Sequence, residues 1–280
     1  MMARYEITDD QWALLKDLFP RQARGGKWLN HRTVLNGMLW ILRSGAPWRD
    51  LPERYGKFGT VNQRFNRWRR DGTFDKILKA LQIRLDKAGK IDWDLWLVDG
   101  TNIRAGRAAA GARKKKHPLD TLEPDDHHLG RSRGGWGSKL HLVTDGKGLI
   151  LGATLTAGQT HESTQLHNLI HSVRRPRRIG WPDQLAGDKG YSYESTREFL
   201  KDCGIEPVIP RKSNQKRPIG ERFDKKTYRK RSRIEQAVGW LKECRRLATR
   251  YEKLGLSFLG FVKLGIMLKY LRILGPLDRA

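Results

Sequence analysis

The stretch "DLWLVDG", residues 94–100, is a short apolar run closed by an aspartate and a glycine. Leu95, Trp96, Leu97 and Val98 follow one another without a polar break, the signature of a buried strand ending at Asp99. Downstream, residues 103–137 are rich in Gly and Arg and read as a mobile loop. The segment "KLHLVTDGKGLILGATLT" reads as a hairpin of two strands turning at Asp145-Gly146. A helix is predicted from Thr160 to about Val173, then a strand, "DQLAGDKGY", ending in Asp188. "YESTREFLKDCG" reads as a helix stopped by Gly204, and "EPVIP" as a fifth strand. A basic loop and long helices complete the chain.

Upstream of residue 89 the periodicity is helical. Thr8 with Gln11 forms a capping-box pattern opening a helix to about Phe19. A second helix is expected from about His31 to Ser44, with Val34, Met38 and Ile41 on one face and Gly45 as its stop. Thr60 with Gln63 is expected to open a third, burying Val61, Phe65 and Trp68; a fourth runs from about Phe74 to Lys87. The far side of the third helix carries Gln63, Arg67 and Arg70. That face suits a DNA groove in a helix-turn-helix-like arrangement, and an ordinary exposed polar face is the alternative.

The chain has 280 residues, with Lys+Arg 56 against Asp+Glu 30 and a net charge of +26. Such an excess attracts a polyanion, most commonly nucleic acid. Cys203 and Cys244 are too few for a disulfide framework or a cysteine zinc site, and they fit a reducing compartment. The opening "MMARYEITDD" carries no secretory signal, and "LSFLGFVKLGIMLKYLRIL", interrupted by Lys263 and Lys269, reads as a buried or partner-facing helix and not a span. A cytoplasmic, DNA-associated protein is expected.

The order strand, hairpin, helix, strand, helix, strand, helix is that of ribonuclease-H-like folds. The resemblance implies a mixed five-stranded sheet with flanking helices (residues 90–280), preceded by an all-helical domain (residues 1–89). In that fold the first and fourth strands are parallel neighbours, about 4.8 Å apart, so Asp99 and Asp188 would share a site. Asp145 would lie at the opposite edge, where its turn with Gly146 explains it. Adjacent carboxylates repel unless one is protonated or a cation lies between them, and hard oxygen ligands suit Mg²⁺ or Mn²⁺.

A third carboxylate would complete a cage for two ions, and Glu235 is the candidate. It stands in "YRKRSRIEQAVGWLK", residues 228–242; Arg211 to Arg246 holds 14 Lys/Arg against four acids. On one helix, Tyr228, Arg231, Glu235 and Lys242 would fall within roughly a 60° sector, with Ile234, Val238 and Leu241 as the adjoining apolar stripe. A plain i, i+4 pair of Glu235 with Arg231 is the competing explanation.

These residues resemble an insertion-sequence transposase of the DDE class, in the group marked by a Tyr-Arg-Glu-Lys signature. The signature matches at Tyr228, Arg231, Glu235 and Lys242, the first acid at "WLVDGT" and the second at "DKGY". "LGRSRGGWGSKLHLVTDG" and "AGQTHES" are also similar to this group. The resemblance implies that Asp99, Asp188 and Glu235 are catalytic and bind two Mg²⁺ ions, with Mn²⁺ as substitute. Tyr228, Arg231, Lys242, Arg67 and Arg70 would contact DNA. The implied partners are terminal inverted repeats, target DNA and a second copy of the chain. Only 46 residues separate Asp188 from Glu235, leaving no room for the β-rich insertion of some relatives. A nuclease that cuts without joining, and an inactive DNA-binding descendant, are the alternatives.

Other residues carry weaker signals. His161 and Glu162 begin the helix after the third strand, on the same edge of the sheet as the acids; an auxiliary active-site role competes there with the plain preference for an acid in a helix's first turn. His127 and His128, beside Asp125 and Asp126, are not expected to bind zinc. "ARKKKH", residues 112–117, reads as a phosphate-contacting loop or a solvated charge run. Trp136, Trp181 and Trp240 are expected to pack in the core.

Overall fold

The apolar run at Leu95 opens strand β1, Leu95–Ala105, in a computed structural model that describes residues 5–21, 28–112, 122–216, 218 and 222–275. The strand does not stop at Asp99. It stays extended for six further residues, so Asp99 sits mid-strand. The chain forms two compact units, one of residues 1–88, 104–127 and 241–280, the other of 89–103 and 128–240. The first unit's opening segment ends at residue 88, and residues 104–127 and 241–280 join it. The apolar carboxy-terminal helix groups with the amino-terminal helices.

The helical unit holds α1 (Asp9–Ala13), α2 (His31–Ser44), α3 (Phe58–Arg70), α4 (Thr73–Lys87) and the short α5 (Arg107–Ala110). The Thr8–Gln11 capping box forms, each side chain bonding the other's backbone N–H. That helix nonetheless ends at Ala13 and continues only as a 3₁₀ turn, Lys16–Leu18, so it falls short of Phe19. For α2 both expected ends hold: Asn30 accepts from Arg32 N at 2.7 Å, and Gly45 takes φ 73° beyond the last turn. A side chain at Gly45 would also meet Arg245 at 2.8 Å. Helix α3 begins two residues before Thr60, with Lys57 at its cap, so Thr60 lies inside the first turn and caps nothing.

Strand β7 (Thr249–Arg250) pairs with the last two residues of β1 inside this unit. It follows α10 (Arg245–Ala248) and precedes α11 (Gly255–Leu274), which packs against α4, α3 and α2. Phe261 stacks on Phe65 with ring centroids 4.5 Å apart, and Lys263 pairs with Asp75 at 2.7 Å. Phe258, Phe261, Val262, Leu264, Met267 and Leu271 are fully buried, each contributing roughly 1.5–3 kcal/mol by leaving water. Among the described residues no helix is long and apolar enough to cross a membrane.

The second unit carries β2 (Gly130–Ser132), β3 (Gly135–Asp145), β4 (Ile150–Ala157), α6 (Leu166–His171), β5 (Gln184–Ala186), α7 (Glu194–Asp202), β6 (Glu206–Val208) and α8 (Lys225–Arg229). Strand order is β2-β3-β1-β5-β6, with β4 on β3. The run β4-β3-β1-β5-β6 is the ribonuclease-H-like order of five; β2 and β7 are additions to it. Strands β1 and β5 are parallel, as are β5 and β6, and β3 with β4 is antiparallel. Asp145 closes the hairpin fully buried, accepting from Asp92 N, Lys147 N and Leu149 N at 2.7–3.0 Å. Its carboxylate is consumed by the turn.

Two local expectations fail here. The Tyr228–Lys242 segment is not one helix. Helix α8 ends at Arg229, a turn holds Lys230 and Arg231, and α9 (Ser232–Glu243) follows. Trp136 is 46% exposed, whereas Trp181 packs edge-on against Trp96 and Trp240 is half-buried.

Candidate active site

The register of β1 on β5 sets the first two acids. Leu97 pairs with Ala186, so Asp99 and Asp188 lie at one level, each two residues further along parallel neighbours. Strand β5 has ended by then, and Asp188 instead caps a 3₁₀ turn, Lys189–Tyr191, accepting from Gly190 N at 2.8 Å. Asp99 accepts from Gly100 N at 3.0 Å.

A third carboxylate joins them, and it is Glu162. One oxygen each from Asp99, Glu162 and Asp188 lies within 4.8 Å of the others, the only such acid, His or Cys cluster among the described residues. Glu162 comes from a 3₁₀ turn, Glu162–Gln165, that precedes α6. Its Oε1 pairs with Lys139 Nζ of β3 at 3.2 Å. Burial pushes the Asp99 carboxyl up to about 6; Arg231 and the Gly100 N–H oppose this, while Glu162 and Asp188 add to it.

Glu235 stands on α9 with its side chain 59% exposed. Arg231 Nη2 lies 3.3 Å from Glu235 and 3.5 Å from Asp99, so one guanidinium nitrogen bridges the two. The i, i+4 pairing and the approach to the site therefore coexist. The Tyr228 ring lies 5.9 Å from the Arg231 guanidinium and packs on Phe223. Lys242 falls past the unit boundary on α9, among the residues that cluster with the helices.

Arg67 and Arg70 are brought together on α3. With Trp28, Gln63 and Arg64 they line a cleft of about 500 Å³, and the Arg64 and Arg67 guanidinium groups lie 4.4 and 5.1 Å from the Trp28 ring. The remaining candidates are structural. His127 is buried against Glu123 at 3.0 Å, and Cys244 is buried, its thiol pushed up by burial. His161 caps the Glu162 turn, with Tyr193 edge-on to its ring. Of "ARKKKH", residues 113–117 lie outside the described residues.

Two glycines beside the aspartates accommodate Glu162, whose placement on the acids' edge of the sheet the sequence suggests. A Cβ at Gly100 would stand 2.8 Å from Glu162 Oε1, and one at Gly190 would stand 2.9 Å from Oε2. The glycines of "DG" and "DKG" thus clear space for the same foreign carboxylate.

The donor set fits divalent cations. Octahedral bonds of about 2.1 Å put ligand oxygens up to about 4.2 Å apart, and the cluster needs little closure to reach that. Lys139 pairs with Glu162, and Arg231 with both Asp99 and Glu235; with Asp188 beside them, these two cations face four carboxylates, leaving negative charge for a further cation to neutralise. Tyr191 lies beneath, its hydroxyl buried and without a hydrogen-bond partner.

A sheet of this order with carboxylates at one level on β1 and beyond β5 defines the ribonuclease-H-like class of nucleic-acid enzymes. Comparison with known proteins narrows it. Residues 94–267 match the "Transposase DDE domain" family and residues 7–78 match "Putative transposase of IS4/5 family". The chain belongs to the DDE-domain transposases. It is 31% identical over 131 residues to "Insertion element IS402 uncharacterized 16.2 kDa protein" of Burkholderia cepacia, covering 44% of this chain and 88% of that one. It is 30% identical over 135 residues to "Putative transposase for insertion sequence element IS6501" of Brucella ovis, covering 48% and 98%. Among solved structures, a piggyBac transposase synaptic complex with hairpin DNA aligns at TM-score 0.48 and 10% identity, over 96% of this chain and 73% of that one. Family membership implies dependence on a divalent metal.

Proposed function

We propose that this DNA transposase cuts the ends of an insertion sequence and joins them to target DNA at the site built on Asp99, Asp188 and Glu235. Those three acids would hold two Mg²⁺ ions, with Mn²⁺ as substitute. Bound ions would polarise the scissile phosphate and favour the deprotonated form of the attacking oxygen. Water attack breaks the P–O bond at the element end and leaves a 3′-hydroxyl; that hydroxyl then attacks a target phosphate, losing its proton and displacing the target strand's own 3′-oxygen. Both are displacements at phosphorus, so one site serves both.

The chain's own residues set the stage. Asp99 lies on β1 and Asp188 caps the turn just beyond its parallel neighbour β5, and Arg231 keeps Glu235 tied to Asp99. Tyr228, Arg231 and Lys242 would meet flanking phosphates, and Arg67 and Arg70 would face the terminal inverted repeats. Two element ends call for at least a dimer, acting on DNA in the cytoplasm. The observation that carries the reading is the shared level of Asp99 and Asp188 with Glu235 bridged to Asp99.

The test uses Asp99→Asn, Asp188→Asn and Glu235→Gln with DNA bearing the element's ends. Each variant should lose cleavage by more than about 100-fold, beyond the loss of an outer partner of a metal site, while end binding persists. Mg²⁺-dependent cutting that survives in all three overturns the assignment. Pre-cut ends that are never joined would mean a nuclease.

A further inference from the structure

We propose that Glu162 is a fourth carboxylate ligand of the cation site, binding beside Asp99 and Asp188 whether or not Glu235 is engaged. This rests on the metal-dependent reading of the site and extends it to a residue outside the expected triad.

Placement comes first. Glu162, Asp99 and Asp188 already present oxygens within 4.8 Å of one another, whereas Glu235 is held at the rim by Arg231. The side chain of Glu162 is only 17% exposed against 59% for Glu235. A buried acid needs a compensating charge. Lys139 provides one on Oε1, yet the two aspartates beside it add to the negative charge.

The cradle is the second observation. Gly100 follows Asp99 and Gly190 lies two past Asp188; a methyl group at Gly100 would stand 2.8 Å from Glu162 Oε1, and one at Gly190 would stand 2.8 Å from Asp188 Oδ1 and 2.9 Å from Glu162 Oε2. Neither glycine has the positive φ that would explain it by backbone strain. Their missing side chains keep room for the carboxylate.

The third is Tyr191. Its hydroxyl is fully buried with no hydrogen-bond partner among the described residues, in the field of Glu162, Asp99, Asp188 and Arg231. A buried phenol calls for an acceptor. Inward closure of these carboxylates around a cation would supply one.

Mn²⁺ binding to the full chain, read by electron paramagnetic resonance, tests this. Glu162→Gln should weaken it at least tenfold, whereas Lys139→Met, which takes a positive charge away from the site and leaves every carboxylate in place, should leave it unchanged or tighter. Unchanged binding in Glu162→Gln overturns the proposal. So does an equal loss in both variants, which would make Glu162 merely the partner of Lys139. A second variant, Glu162→Cys, places a soft ligand there and should add a Cd²⁺–thiolate absorption band over wild type. Absence of that band also overturns the proposal. Asp99→Asn separates the two claims: if it too binds Mn²⁺ normally, the whole metal site falls. If it alone loses binding, only Glu162 is excluded.

Discussion

Both units bury arginine beside carboxylate, with opposite outcomes. In the helical unit, Arg246 pairs with Glu252 at 2.6 Å, and Arg250 donates to the carbonyls of His127, Glu252 and Lys253. Glu123 accepts from Gly255 N and Leu256 N at the start of α11 and bonds His127. Two arginines face two glutamates, and each of the four has at least one fixed partner. Burial lowers Arg250 to about 10, which still leaves it charged at neutral pH. In the sheet unit, Arg231 and Lys139 face four carboxylates, and the Asp99 carboxyl is pushed up to about 6. A balanced cluster is a structural strut. An unbalanced one is a site waiting for a cation.

The largest effect should come from removing one arginine of each cluster. Arg246→Met leaves Glu252 buried and unpaired and should cost roughly 3–5 kcal/mol of stability, measured by urea unfolding, with no help from added Mn²⁺. Arg231→Met should also destabilise the metal-free chain, and Mn²⁺ should recover much of that loss. If Mn²⁺ stabilises both variants equally, the contrast is broken.

Next is acid sensitivity. His141 is fully buried on β3, its Nε2 2.8 Å from Thr156 Oγ1, and burial lowers its pKa from 6.5 to about 4. The folded pKa lies below the unfolded one, so the unfolded chain binds the proton first. Stability is full above pH 6.5 and drains as pH falls towards 4, by up to about 3 kcal/mol. The stability advantage of wild type over His141→Gln should shrink by that amount between pH 7 and 4. A constant gap would show that His141 titrates normally.

The smallest effect concerns the cleft on α3. Replacing Arg67 and Arg70 by Gln should lower the salt dependence of end binding by about one unit each and leave Mn²⁺ binding untouched. Unchanged DNA affinity would make that face ordinary polar surface.

Local chemistry was legible in the sequence wherever its cause lies within a turn or two of chain. The apolar run at Leu95, the stop at Gly45, the Asp145 turn and the acids Asp99 and Asp188 all follow from neighbours, from strand periodicity or from a recognisable signature. Local pattern also misled. Thr60 and Gln63 have capping-box spacing, yet α3 starts earlier, and the helical phase of Tyr228 to Lys242 assumed an unbroken helix where the chain turns at Arg231. Tertiary structure alone decided how closely Glu162, placed on the acids' edge by the sequence, approaches Asp99 and Asp188, that Arg231 holds Glu235 beside Asp99, and that α11 joins the first 88 residues. The physical reason is range. Hydrophobic periodicity and capping act over a few residues, whereas the meeting of charges depends on strand register and packing between segments far apart in the chain.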